Sequence, residues 1–499
     1  MKRCIVLIQF AFLATVILYA GKYPKREMRA VWIATVANID WPSRAGLSTD
    51  MQQEEMIELL DLAKEYHFNT VIFQIRPSTD AFYQSSFEPW SQWLTGEQGK
   101  APDPFYDPLE FTIKECRKRG LDIHVWMNPY RAVFDTAKSS IAESNPVKTN
   151  PEWFVTYGSK AYFNPGLPET RNHVCNVVAD ILRRYEIDAI HFDDYFYPYR
   201  ISGKDFPDQQ AFELYPRGFS TNEKENWRRD NVDLIIKQLH DTIKAVAPYV
   251  EFGISPFGVW RNNDKDPRGS ATKAGQTNYD DLYADVLKWQ QEGWIDYVTP
   301  QIYWPIGKKV ADYSVLVDWW DKNAFGCPLY IGHGLYRLDA KSGEKAWQKS
   351  KEMDKQVKLL RKYENVEGSM FFSAKYMRTN PLGFKQRMQK KHYRYVALPP
   401  KNKRVKQIMP ERPENAQWDV NNDTISLAWN AGENNVGYII YKCKKNKELK
   451  LDDVRSIVAV TGDTELKLKL DDQNSPYKYD YIITGISITN NESNGVIFR

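Results

Sequence analysis

The chain has 499 residues, with 68 Lys and Arg against 64 Asp and Glu and a net charge of +4. That length exceeds one ordinary domain but suits a barrel with an attached module, and the near-balanced charge offers no field favouring nucleic acid or an anionic membrane as partner. Sixteen Trp, 30 Tyr and 23 Phe make 14% of the residues aromatic: either a rich core or a supply of flat apolar faces of the kind that suit sugar rings.

At the N-terminus, Lys2 and Arg3 precede an apolar run from Ile5 to Ala20 whose only polar interruptions are Gln9 and Thr15. This pattern predicts a cleaved signal peptide over residues 1–20, and hence an exported, periplasmic or cell-envelope protein. The run falls short of the ~20 residues that a span needs. No later stretch could cross a membrane, so no integral span is expected after signal removal. Cys4 leaves with the signal, while Cys116, Cys175, Cys327 and Cys443 lack metal-ligand spacing. Cys116 and Cys175 fall in helical patterns as small buried residues, so neither a structural metal, a cofactor nor an obligatory disulfide is expected.

From Met28 to about Phe372, short β-rich apolar runs alternate with helical patterns. The strands are expected at Arg29–Val36, Thr70–Arg76, Asp122–Asn128, Ala189–Asp193, Glu251–Ser255, Tyr297–Tyr303, Leu329–Gly332 and Ser369–Ser373. Amphipathic segments lie between them at Gln52–Tyr66, Leu109–Arg119, Glu169–Tyr185, Trp227–Ala247, Tyr279–Gln290 and Lys345–Tyr363, with a closing helix at Pro381–Tyr395. Eight such units make an α/β fold, a (β/α)8 TIM-type barrel over residues 27–395. A Pro- and Lys-rich stretch, 396–413, reads as a linker with few interdomain contacts. Beyond it, residues 414–499 alternate as strands with Asn-, Asp- and Gly-rich turns, a small all-β sandwich. Trp429 and the Gly437–Tyr441 run give that module a resemblance to fibronectin type III.

The period of two along a strand separates helix-facing from lumen-facing residues, and barrel chemistry sits where the strands end. On this rule Gln74 and Arg76, His124, Trp126 and Asn128, His191 and Asp193, Ser255, and Thr299, Gln301 and Tyr303 turn inward. So many polar groups in one core would be costly unless they paired or served a site. The run His191–Pro198 ends a buried strand with Asp193 and Asp194 beside three aromatic residues, a setting that can push carboxyl pKa values apart. Glycoside hydrolysis uses such a pair, one carboxyl as acid and one as nucleophile or base. Asp193 is expected in the mouth. Asp194 either joins it or bonds the loop backbone, in which case Asp40 or Asp80, both just past strand ends, supplies the second carboxylate. Substrate contacts are expected from Arg76, Asp80, Asn128, Tyr130, Arg131, His191, Tyr195, Trp260, Arg261, Gln301, Tyr303 and Trp304, with Arg76 level with Asp193 and gripping either a catalytic carboxylate or an acidic sugar substituent.

The runs Arg29–Val36, Phe73–Pro77, Asn164–Glu169, His191–Pro198, Phe252–Asn262 and Pro300–Trp304 resemble the glycosyl hydrolase-like ten family across essentially the whole barrel. That resemblance implies a bacterial envelope glycosidase, and the family includes a divisome-localised enzyme that cuts peptidoglycan strands stripped of stem peptides. It carries over no proven catalytic pair. The expected partner is therefore a carbohydrate polymer, with the oligomeric state open. Two other readings stand beside this one: a glycan-binding scaffold without turnover, against which the intact Asp193–Asp194 pair speaks, and a metallohydrolase barrel, against which speak only seven His and no His-x-His.

Overall fold

The computed structural model describes residues 23–447 and 450–499, so the signal-peptide reading lies outside the described residues. Eight parallel strands form a closed barrel: β1 (Met28–Ile33), β2 (Thr70–Arg76), β3 (Asp122–Met127), β4 (Ala189–Phe192), β5 (Glu251–Ile254), β6 (Tyr297–Val298), β7 (Leu329–Gly334) and β8 (Val366–Phe372), with β1 pairing both β2 and β8. Each is followed by a helix: α1 (Thr49–Glu65), α2 (Pro108–Lys118), α3 (Pro168–Arg184), α4 (Lys224–Val246), α5 (Val286–Gln291), α6 (Tyr313–Lys322), α7 (Lys351–Leu360) and α8 (Phe384–Lys391).

Alternation divides each strand as the sequence suggests. Val31, Ile33, Val71, Phe73, Ile75, Ile123, Val125, Ile190, Phe192, Phe252 and Ile254 point to the helices and are fully buried. Each such side chain contributes roughly 1.5–3 kcal/mol, so this outer layer holds helices to barrel. The opposite phase fills the lower lumen with Met28, Ala30, Ile72, Ala189, Tyr297, Tyr330 and Met370. The Tyr297 ring needs the bare Gly253 beside it, since a Cβ there would lie 1.8 Å from the ring.

Elements differ from expectation where backbone donors are missing or turns intervene. β6 covers two residues rather than Tyr297–Tyr303, because Pro300 has no N–H to extend the ladder; Gln301 then makes single bridges to Phe257 and Gly332, which keeps it at the mouth. The Tyr279–Gln290 segment splits into a turn at Asn278–Asp281 and α5, broken at Tyr283 with φ 54°. Lys345–Tyr363 likewise splits into Lys345–Gln348 and α7, while α6 is a helix that the reading of the sequence did not single out. Among the described residues no helix is long and apolar enough to cross a membrane.

The tail forms two antiparallel sheets. One contains β9 (Glu414–Asn421), β10 (Thr424–Asn430) and β13 (Glu465–Lys469); the other contains β11 (Gly437–Lys444), β12 (Ile457–Thr461), β14 (Tyr479–Ile486) and β15 (Val496–Ile497). Trp429, Ile425, Leu427, Tyr438, Ile440 and Ile483 pack between them.

The stretch before the tail is not a loose tether, contrary to expectation. Leu398 is fully buried and exchanges backbone hydrogen bonds with Lys25 and Glu27; Asn69 donates to the Ala397 carbonyl at 3.0 Å, and Asn402 to that of Asp296 at 3.1 Å. The tail itself reaches the base of the barrel, where the strands begin. Thr461 and Gly462 both donate to the Lys118 carbonyl, Asn490 donates to Asp122 at 2.8 Å, and Lys25 pairs with Glu492 at 2.7 Å. Further along, Arg404 donates to the Gln290 carbonyl at 3.1 Å and the Lys406 backbone N–H to that of Pro248 at 3.0 Å, so the Pro- and Lys-rich composition does not make this stretch a free linker.

Candidate active site

At the opposite end, the C-terminal ends of the strands surround a cavity of about 760 Å³. Asp193 and Asp194 lie side by side just past β4, both in the cavity wall and both nearly inaccessible. Among the described residues neither makes an ion pair. Asp193 receives the Trp126 indole N–H at 3.2 Å, the Asn128 amide at 3.2 Å to each oxygen, and the Tyr195 backbone N–H at 3.4 Å. Burial pushes its pKa upward, opposed by Arg131 and these donors. Asp194 accepts the Tyr199 hydroxyl at 2.5 Å, and the Gln301 amide and its own backbone N–H also favour its ionised form. Burial first, and the neighbouring Asp193 charge second, raise Asp194 to about 7. One carboxyl is thus supplied with several donors that favour its ionised form, while its neighbour holds a proton near neutrality.

Beneath the pair runs a chain of neutral groups. The Trp32 indole can only donate, and it meets His191 Nε2 at 3.3 Å. His191 therefore carries its proton on Nδ1, which donates to the Tyr297 hydroxyl at 2.8 Å, and that hydroxyl donates on to His124 Nδ1 at 2.9 Å. Burial holds both imidazoles neutral, His124 down at about 3 and His191 well below its ordinary value. His191 Nε2 also stands 2.9 Å from Ser255 Oγ, which does reach the cavity.

The structure brings Asp193, Asp194, Arg131, Tyr195, Gln301, Tyr303 and Trp304 into the cavity wall. Arg131 is tied by its Nε to the Pro77 carbonyl at 2.9 Å and lies 5.4 Å from the Tyr195 ring centre. The other expected site residues stand elsewhere. Asn128 lies one layer back, its amide on Asp193 and its Oδ1 accepting from Arg131 N at 2.7 Å. Arg76 does not face the mouth: it is fully buried, forms a two-pronged pair with Glu88 at 2.6 and 2.7 Å, and donates to the Asn128 carbonyl. Glu88 also meets His173 at 2.9 Å. Arg76 thus braces the backbone that carries Asn128, because its true partner is a carboxylate from its own loop.

His191 belongs to the chain under the floor, and Tyr130 is buried core. Trp260 packs flat on Trp319 at 5.9 Å, and Arg261 is consumed by Asp266 and Asp280 at 3.2 and 2.8 Å. Asp80 is buried and accepts from Ser91 Oγ at 2.8 Å. Asp40 takes the N–H groups of Ala34 and Lys375 and the Ser373 hydroxyl at 2.6–2.7 Å, clasping the loop after β1 to the loop after β8. Burial raises both Asp40 and Asp80 to about 6, yet neither reaches the cavity.

Several wall residues escaped the sequence reading: Trp32, Tyr199, Phe257, Tyr336, Arg337, Phe372, Lys375 and Tyr376. Trp32 and Phe372 carry the lumen phase near the ends of β1 and β8, a signal that could have found them; the others sit in loops without periodicity. Among the described residues, no group of three His, Cys, Asp or Glu is placed to hold a metal ion.

An eight-stranded barrel with a carboxyl pair in an aromatic mouth is the architecture of a glycoside hydrolase. Residues 27–349 match the model of the family described as Glycosyl hydrolase-like 10, and the chain belongs to that family. It is 43% identical over 493 residues to glycosyl hydrolase YngK of Bacillus subtilis, spanning 97% of this chain and 95% of that one. To glycosyl hydrolase DigH of Escherichia coli K12 it is 36% identical over 374 residues, spanning 70% of this chain and 84% of that one.

Proposed function

We propose that this glycosidase is exported and cuts the glycan strands of peptidoglycan, with Asp194 as the proton donor to the leaving oxygen and Asp193 as the carboxylate acting as nucleophile or base. The observation that carries the catalytic assignment is the contrast inside one cavity: Asp194 raised to about 7 beside Asp193, which has three neutral donors and Arg131 nearby. An acid that is half protonated at neutral pH is matched to general acid work there. Trp304, Tyr303 and Tyr195 offer ring faces for sugars, and Gln301 and Ser255 offer polar edges for hydroxyl or acetamido groups. The substrate choice follows from the envelope context that the family resemblance and the N-terminal segment imply. We read the two-sheet tail as a fibronectin type III-like module that supports the barrel from below.

The test is release of new reducing ends from peptide-free peptidoglycan strands, read by mass. Wild type is expected to release oligosaccharides, and Asp193→Asn and Asp194→Asn each to lose about a hundredfold or more of turnover while still binding the strand. Retained turnover in either variant contradicts its assignment, and a wild type inert on these strands contradicts the substrate.

A further inference from the structure

Besides Arg131, whose charge acts on Asp193, two further cations line the cavity with no carboxylate against them among the described residues. Arg337 ends the turn Leu335–Arg337 that follows β7, and Lys375 opens the short helix Lys375–Thr379 that follows β8; both side chains line the cavity and are exposed to it. Among the described residues neither has an ion-pair partner. The Arg337 guanidinium lies over the Tyr336 ring, 4.9 Å from its centre. Asp40, whose carboxyl feels the Lys375 charge, sits behind the wall with its oxygens already taken by three other donors. Most basic side chains elsewhere in the barrel wall are spent: Arg76 on Glu88, Arg228 on Asp205 and Asp208, Arg261 on Asp266 and Asp280.

A run of aromatic rings, set edge to face or tilted, joins these cations to the carboxyl pair. Trp126, whose indole holds Asp193, lies 6.5 Å from Phe372 between ring centres; Phe372 lies 6.3 Å from Tyr336; and Tyr336 lies 6.3 Å from Tyr376, the residue after Lys375. A sugar chain lying along this run with its scissile bond at Asp194 would bring a neighbouring residue to Arg337 and Lys375, which line the same cavity. Negative charge at one end and unpaired positive charge at the other give the groove a direction. An anionic sugar is repelled from Asp193 and Asp194 and drawn to the far end.

We propose that Arg337 and Lys375 form a subsite for a carboxylate substituent on a sugar next to the one being cleaved, so that the enzyme selects acidic over neutral glycans. This rests on the glycosidase reading of the cavity and specifies its substrate as a polyanion. The binding of N-acetylglucosaminyl-N-acetylmuramic acid oligosaccharides to wild-type protein should be compared with that of the same oligosaccharides after conversion of the lactyl carboxylates to carboxamides. Oligogalacturonate and its methyl ester form a second pair with a different backbone.

Wild type is expected to favour a carboxylate form over its uncharged twin by about tenfold or more, the preference shrinking as salt is added. In R337Q/K375Q the ratio is expected to fall to about one. A preference for oligogalacturonate with no muramyl binding supports the anionic subsite while removing peptidoglycan as the substrate. Equal wild-type affinity for both members of each pair overturns the inference, as does a preference that survives in R337Q/K375Q, or no binding to any of the four. A matched unfolding curve for R337Q/K375Q and wild type, expected for exposed side chains, separates lost recognition from lost structure.

Discussion

The two ends of this barrel treat the same functional group in opposite ways. At the base, Glu27 is gripped by Arg29 and Arg361 and held below the usual carboxylate range, Asp188 pairs with Arg117 at 2.9 Å, and Asp296 with Lys244 at 2.6 Å. At the mouth, Asp193 and Asp194 have only neutral donors in contact and their pKa values rise. A raised pKa does not by itself mark chemistry, however. Asp122 and Glu251 at the base are pushed up to about 8 by burial, and burial raises Asp188 and Asp296 as well despite their cations; the tail's Asn490 and the linker's Asn402 cover the first two, and none of the four lines the cavity at the mouth. What distinguishes the mouth is a raised pKa together with an open, aromatic approach.

Arg76 sits near the mouth but is paired in the manner of the base. Arg76→Met leaves Glu88 buried without its main cation and should cost about 3–5 kcal/mol in urea unfolding. The same change at the partly exposed Arg117 should cost distinctly less. Equal, small losses would mean that the Arg76–Glu88 pair does not brace the loop.

Removal of residues 396–499 tests whether the base needs its cover. The loss strips the partners of Asn69, Asp122 and the backbone of Glu27, and exposes the barrel bottom. The truncated barrel should melt several degrees lower than the full chain, each orphaned buried group costing about 1–3 kcal/mol. An unchanged melting temperature would mean that the docking contacts add nothing.

A smaller effect separates activity from stability within the mouth. Asp194 has a folded pKa raised above its unfolded value, so the folded state binds the extra proton and stability falls as pH rises from the ordinary carboxylate range through about 7. Asp194→Asn removes that penalty. It should therefore raise the melting temperature more at pH 8 than at pH 5 while turnover is lost. A variant destabilised at pH 8 would show that the buried charge is better compensated than its neutral donors, Tyr199 first among them, suggest.

The sequence disclosed the direction of side chains better than their depth. Period-two alternation put Asp193, Gln301 and Tyr303 on the lumen side, and the structure places all three in the wall. The same alternation brought in Arg76 and His191, because parity says which face a residue takes but not what already occupies it: Glu88, twelve positions past Arg76, is a loop residue with no pattern to announce it. Trp260 and Arg261 sit in the loop beyond β5, where no strand period applies, and Trp319 on α6 and Asp280 claim them. The same irregularity hid Arg337 and Lys375. The α6 helix went unread although Asp312 caps it through Ser314, since its two adjacent tryptophans blur the helical stripe.

As the proposed proton donor, Asp194 has a pKa set near neutrality by burial, by Asp193 and by Tyr199. The pH dependence of kcat/KM tests this role most directly when measured for wild type and Tyr199→Phe on the same strands. Activity should fall on the alkaline side with an apparent pKa near 7. Because the Tyr199 hydroxyl stabilises the ionised form, its removal should move that limb to higher pH. An alkaline limb that is absent up to pH 9, or that stays in place in Tyr199→Phe, would contradict the assignment.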